Sequence, residues 1–99
     1  MTTTHTTRTR FRYWLTSSWK AVPSDRRPGQ TDTVPDHRGP GVVATPRQIL
    51  AEYDALQRAC GQGAWLGFRA EAADGTPVSL DALRQIVSEQ DWKRHGRRR

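Results

Sequence analysis

The sequence predicts an α+β fold: a small helix–strand/hairpin–helix module over residues 45–92. Apolar residues are concentrated between Ile49 and Val87, where a helical period is followed by an alternating period and by a second helical period. Residues 1–44 contain four of the six Pro and few strong hydrophobes after Ser24, which favours a largely disordered basic arm and linker. Residues 93–99 form a basic tail.

Residues 45–60 contain the local signals of a complete helix. Thr45 is suited to the N-cap and Pro46 to the first helical position, and Gln48 completes a Thr-x-x-Gln capping box. The apolar stripe that follows consists of Ile49, Tyr53, Leu56 and Cys60. Gly61 occupies the position of a left-handed C-terminal cap. We therefore expect a helix with one face packed on a core, and we expect Cys60 to be an inert part of that face.

Residues 63–71 alternate between apolar and other residues, which predicts a strand with one face toward the core. Asp74-Gly75 is a turn signal, and residues 76–78 are expected to return as a short strand. Pro77 cannot donate a ladder hydrogen bond, so this strand should lie at an edge. Ser79 then caps a second helix. Its apolar side consists of Leu80, Leu83, Ile86 and Val87.

The N-terminal arm contains an aromatic segment from Phe11 to Trp19. Its first residues alternate with period two, as in a half-exposed strand. A two-stranded sheet alone is barely stable, so this segment, or a second copy of the chain, is a candidate for an additional strand. Aromatic residues interleaved with arginine are also typical of surfaces that stack single-stranded nucleic acid. Packing on the module is the favoured interpretation.

The net charge of +6 is concentrated at the two ends of the chain. Residues 1–44 contain seven Lys/Arg and three Asp, residues 45–92 contain four Arg and seven Asp/Glu, and residues 93–99 contain five Lys/Arg and no acid. The folded module is therefore mildly acidic, and phosphate binding is expected from the arms without sequence discrimination. The candidate nucleic-acid contacts are Arg8, Arg10, Arg12, Lys93, Arg94, Arg97, Arg98 and Arg99.

Aromatic side chains define a second candidate surface, which would contact a protein partner. Its members are Phe11, Tyr13, Trp14 and Trp65. Trp65 is predicted on the outward side of the strand, two residues from Gly67, and would form an exposed apolar patch unless the N-terminal aromatics cover it.

The sequence favours a non-enzymatic protein without a metal, a cofactor or a small-molecule ligand. Glu52 and Asp54 are two positions apart and diverge around the helix, so they do not form a paired-carboxylate site. The three His are scattered, and the single Cys cannot form an internal disulfide. No apolar run approaches the roughly 20 residues of a membrane span, and a cytoplasmic location is expected.

Two functions therefore remain open. The first is a small intracellular accessory protein that binds nucleic acid non-specifically through its basic arms. The second is a protein-interaction module that uses an exposed aromatic face, with a protein partner or a second copy of the chain, and has no nucleic-acid role.

Overall fold

The computed structural model describes residues 9–61 and 63–96, the last seven as backbone alone. It contains five strands, β1 (Phe11–Thr16), β2 (Trp19–Pro23), β3 (Thr31–Pro35), β4 (Val42–Ala44) and β5 (Gly67–Glu71), and two helices, α1 (Pro46–Cys60) and α2 (Leu80–Gly96). Two helices combined with antiparallel sheets confirm the α+β class. Within the described residues, neither helix is long and apolar enough to cross a bilayer.

The main sheet has the strand order β4-β1-β5, with both pairs antiparallel. Phe11 pairs with Ala44 on one side of β1, and Tyr13 pairs with Ala70 on the other. The first strand is therefore the central strand of the sheet. The prediction that residues 1–44 are largely disordered is wrong for residues 11–44, which contain four of the five strands.

Strands β2 and β3 form a separate two-stranded hairpin, with Trp19 paired to Pro35 at one end and Pro23 paired to Thr31 at the other. The prolines lie at strand ends, where a missing backbone donor interrupts the ladder least. In the connecting turn, the Ser24 hydroxyl accepts hydrogen bonds from the backbone N–H groups of Arg26 and Arg27. Ordered turn chemistry thus replaces the disorder expected from the Pro/Gly composition.

Helix α1 begins with the predicted cap. The backbone N–H of Gln48 donates to the Thr45 hydroxyl, and the backbone N–H of Thr45 donates to the Gln48 side chain, which completes the capping box. Gly61 caps the end of the helix, directly after Cys60. It has a positive φ of 98° with an extended ψ of 159°, and the Gly61 N–H donates to the carbonyl of Gln57. The cap residue is as predicted, but its conformation is not the left-handed helical one.

The core lies between one face of the main sheet and the two helices. Its buried members are Phe11, Tyr13, Ala44, Ile49, Ala70 and Leu83. Burial along the apolar stripe of α1 decreases toward its C-terminus, from fully buried Ile49 to half-buried Leu56 and exposed Cys60. The core therefore covers the first part of the stripe and not its end. The prediction that Cys60 packs in the core is wrong.

Candidate interaction surfaces

Strand β1 separates the predicted site residues onto two faces, because successive side chains of a strand point in opposite directions. Phe11 is fully buried and Tyr13 is 9% exposed, and both pack in the core beneath the helices. Arg12 and Trp14 alternate with them on the opposite face. Phe11 and Tyr13 are therefore unavailable for base stacking or for a partner, and their assignment as interaction residues is wrong.

The face of the main sheet opposite the helices is called the outer sheet face, and it centres on Arg12, Trp14 and Arg69. Trp14 pairs with Arg69 across the β1–β5 ladder, and the Arg69 guanidinium carbon lies 4.8 Å from the centroid of the Trp14 ring. This distance is in the range of a cation–π contact. Arg69 also lies 3.6 Å from the Glu71 carboxylate, and its side chain remains 63% exposed. A charged group is thus held close to the Trp14 ring while still accessible to solvent.

The loop before β4 fixes the other members of this face. The Trp14 indole N–H donates to the carbonyl of Gly39 at 3.0 Å, and the Arg12 guanidinium donates to the carbonyl of Pro40 at 2.6 Å. A guanidinium has five donors, so the bond to Pro40 leaves Arg12 able to bind an anion. Both side chains are consequently held in one orientation, which lowers the entropy cost of binding.

A second surface lies where the hairpin meets the main sheet. Trp65 is 83% exposed, and the indole N–H of Trp19 donates to the Trp65 carbonyl at 3.1 Å. Trp19 is itself 39% exposed. Next to these residues, Pro35 packs over Gly67, where a side chain would overlap the proline ring. Trp19 and Trp65 together are called the tryptophan patch.

The tryptophan patch continues onto one face of the hairpin. Alternation along β2 and β3 gives this face Trp19, Ala21, Pro23, Thr31, Thr33 and Pro35, none of which is charged. All of them except half-buried Pro35 are exposed. The charged residues Lys20 and Asp32 alternate onto the other face. The hairpin thus presents an uncharged surface to solvent.

The remaining predicted nucleic-acid contacts are not brought together within the described residues. Arg10 is exposed directly before β1. Lys93 and Arg94 lie in α2, where the structure describes the backbone alone, and Arg8, Arg97, Arg98 and Arg99 lie outside the described residues. Phosphate binding by the tails stays a prediction.

Two groups show electrostatic effects that bear on these surfaces. The hydrogen bond from Arg38 holds the pKa of Asp36 below its usual value, and Lys20, 3.7 Å away, acts in the same direction. Burial raises the pKa of Tyr13, and the negative charge of Glu52 adds to this effect. Neither group is paired with a second one of opposed acidity, as general acid–base chemistry requires. Among the described residues, no three His, Cys, Asp or Glu side chains are grouped as metal ligands.

Sequence reasoning missed Trp19 and Arg69 as surface residues. Trp19 begins a strand in which only Trp19 and Val22 favour β structure, so composition signalled the hairpin weakly. The position of Arg69 above Trp14 depends on strand register and has no local signal. Comparison of the chain with protein-family models, curated proteins and solved structures finds no match in any of the three.

Proposed function

We propose that the chain is a protein-interaction module that binds its partner through the tryptophan patch and the adjoining uncharged face of the hairpin. The observation that carries the proposal is the 83% exposure of Trp65. Tryptophan is enriched among the residues that dominate binding energy at protein interfaces. The exposed Trp65 indole and the exposed Trp19 indole, whose N–H is bonded to the Trp65 carbonyl, supply the apolar surface for the proposed interaction site.

The hairpin supports the same proposal. A two-stranded hairpin is at best marginally stable in water, yet β2 and β3 expose the uncharged face on which Ala21 pairs with Thr33. A partner that covers this face would stabilise the hairpin by removing apolar surface from water.

The chemistry of the surface defines the partner. The exposed side chains on this face of the hairpin are apolar or neutral and polar, so a complementary partner surface presents apolar and neutral polar groups. The Trp19 N–H is already bonded to the Trp65 carbonyl, so Trp19 contributes mainly its ring. The partner is therefore an apolar protein surface, which includes that of a second copy of the chain.

Affinity capture with the purified chain, followed by direct binding of the recovered partner, tests the proposal. Trp65→Ala should weaken binding by about 2 kcal/mol or more, because Trp65 would lie at the centre of the interface. The thermal stability of the Trp65→Ala variant should equal that of the wild type, since the Trp65 side chain is 83% exposed. If the partner is a second copy, sedimentation equilibrium should give a dimer for the wild type and a monomer for the variant.

Val43→Ala is the matched control, because Val43 is an exposed apolar residue on the main sheet, 47% accessible and outside the tryptophan patch. It should retain the partner. Equal binding by Trp65→Ala and the wild type would refute the proposal, as would equal losses in Trp65→Ala and Val43→Ala.

A further inference from the structure

We propose that the outer sheet face binds single-stranded nucleic acid, with phosphates on Arg10 and Arg12 and an unpaired base on the Arg69–Trp14 pair. This inference uses none of the residues of the tryptophan patch and is independent of the function proposed above. It also differs from tail binding, since its residues lie in the central strand, directly before it and in its neighbour β5.

Charge complementarity identifies the ligand as a polyanion. Arg12 and Arg69 lie on the outer sheet face, and Arg10 continues the alternation by position. Among the described residues of this face, Glu71 is the one acid, and its negative charge offsets part of the positive charge. Its side chain is only 25% exposed. The sequence assigned Arg10 and Arg12 to a disordered arm, but the strand register brings Arg12 onto the same face of the sheet as Arg69. Successive arginines on one side of a strand stand about 7 Å apart and provide a row of anion contacts.

The Arg69–Trp14 pair distinguishes nucleic acid from other polyanions. Nucleobases stack on aromatic rings and on guanidinium planes, and stacking of this type tolerates any sequence. The Arg69 guanidinium lies 4.8 Å from the ring of Trp14, whose orientation is fixed by its bond to the Gly39 carbonyl. A base can stack on this exposed group only if its own face is free, which a duplex does not allow.

Fluorescence anisotropy with a labelled oligo-dT strand and with a duplex of equal length tests the inference on the full chain. The wild type should prefer the single strand. Arg12→Gln should weaken binding severalfold and reduce the slope of log affinity against log salt by about 0.7, because it removes a phosphate contact. Arg69→Gln should weaken binding severalfold with a smaller change in slope, because Arg69 contacts a base. Arg69→Lys should keep the slope but lose about fivefold or more in affinity, because it keeps the charge and removes the planar group.

Arg58→Gln is the charge-matched control, since Arg58 is exposed on α1 on the other side of the sheet. It should bind like the wild type. The inference is overturned if Arg58→Gln weakens binding as much as Arg12→Gln, because affinity then follows total charge. Equal affinity for the duplex, or an Arg69→Lys variant that binds like the wild type, also overturns it. Anionic vesicles are a further probe. If the same substitutions weaken vesicle binding as much as they weaken DNA binding, the face is a general polyanion surface and the inference is overturned.

Discussion

Gly41 leaves the space in which the Trp14 indole lies. A Cβ at residue 41 would stand 2.8 Å from Cε2 of Trp14, closer than such atoms approach in proteins. The φ of Gly41 is +79°, a conformation that residues with side chains rarely adopt. The glycine thus determines how the outer sheet face is built, because any larger residue would displace the indole.

Gly41→Ala should therefore destabilise the fold by about 1–3 kcal/mol, and urea denaturation measures this loss. Gly39→Ala is a matched control, since Gly39 also has a positive φ, +75°, but a side chain there would meet nothing within 4 Å. The difference between the two variants isolates the contact with Trp14. Equal losses would show that the indole moves away without cost.

Ile49→Ala should cost about 2–5 kcal/mol, because Ile49 is fully buried and its removal leaves a cavity. Leu56→Ala should cost less, since Leu56 is only partly buried on the same helix. Denaturation midpoints of the two variants provide the test. A larger loss for Leu56→Ala would contradict the decrease in burial along α1.

Stability should decrease as the pH rises above about 10, because the raised pKa of Tyr13 means that the folded state holds this proton more tightly than the unfolded state. The contribution of Tyr13 to the free energy of unfolding is fully present below the pKa that Tyr13 has in the unfolded chain. It is lost as the pH rises through the higher pKa that Tyr13 has in the folded state. Phenolate absorbance of a Tyr53→Phe variant, in which Tyr13 is the remaining tyrosine, measures the folded pKa directly. A value at or below that of the unfolded chain would contradict the burial of Tyr13.

Replacing Arg97, Arg98 and Arg99 with glutamine should reduce the salt slope for single-stranded DNA by about 2 if the tail binds phosphate as the sequence predicts. Anisotropy over a series of salt concentrations measures the slope. The Arg69→Lys effect should persist in this background, because stacking on the sheet does not depend on the tail. An unchanged slope would remove the tail from the interface.

Helix α1 could be predicted from sequence because its signals are local. Thr45, Pro46 and Gln48 specify the start within four residues, and the structure contains the expected capping box. The hairpin was missed because its prolines and glycines were interpreted as linker composition. Pro23 and Pro35 instead end strands, where proline is tolerated, and the residues between them include a turn sequence.

The candidate surfaces were only partly predictable. Trp65 is exposed as predicted, but it lies before β5 and not in a strand, so alternation along the strand is not the reason. The burial of Phe11 and Tyr13 required knowing which face of β1 the helices cover. Arg69 joins Trp14 through a pairing between residues far apart in sequence. No local pattern encodes such a register, because it depends on the packing of the whole sheet.

The central position of β1 has a consequence for synthesis. Its residues leave the ribosome before those of its partner β5, which follow about 50–60 residues later, on the order of 3–12 s at usual elongation rates. During this interval the edge of β1 that pairs with β5 has no partner, and the nascent chain exposes an aggregation-prone strand edge. Shielding of that edge, by the tunnel or by a chaperone, would then determine the yield of folded protein more strongly than its final stability does.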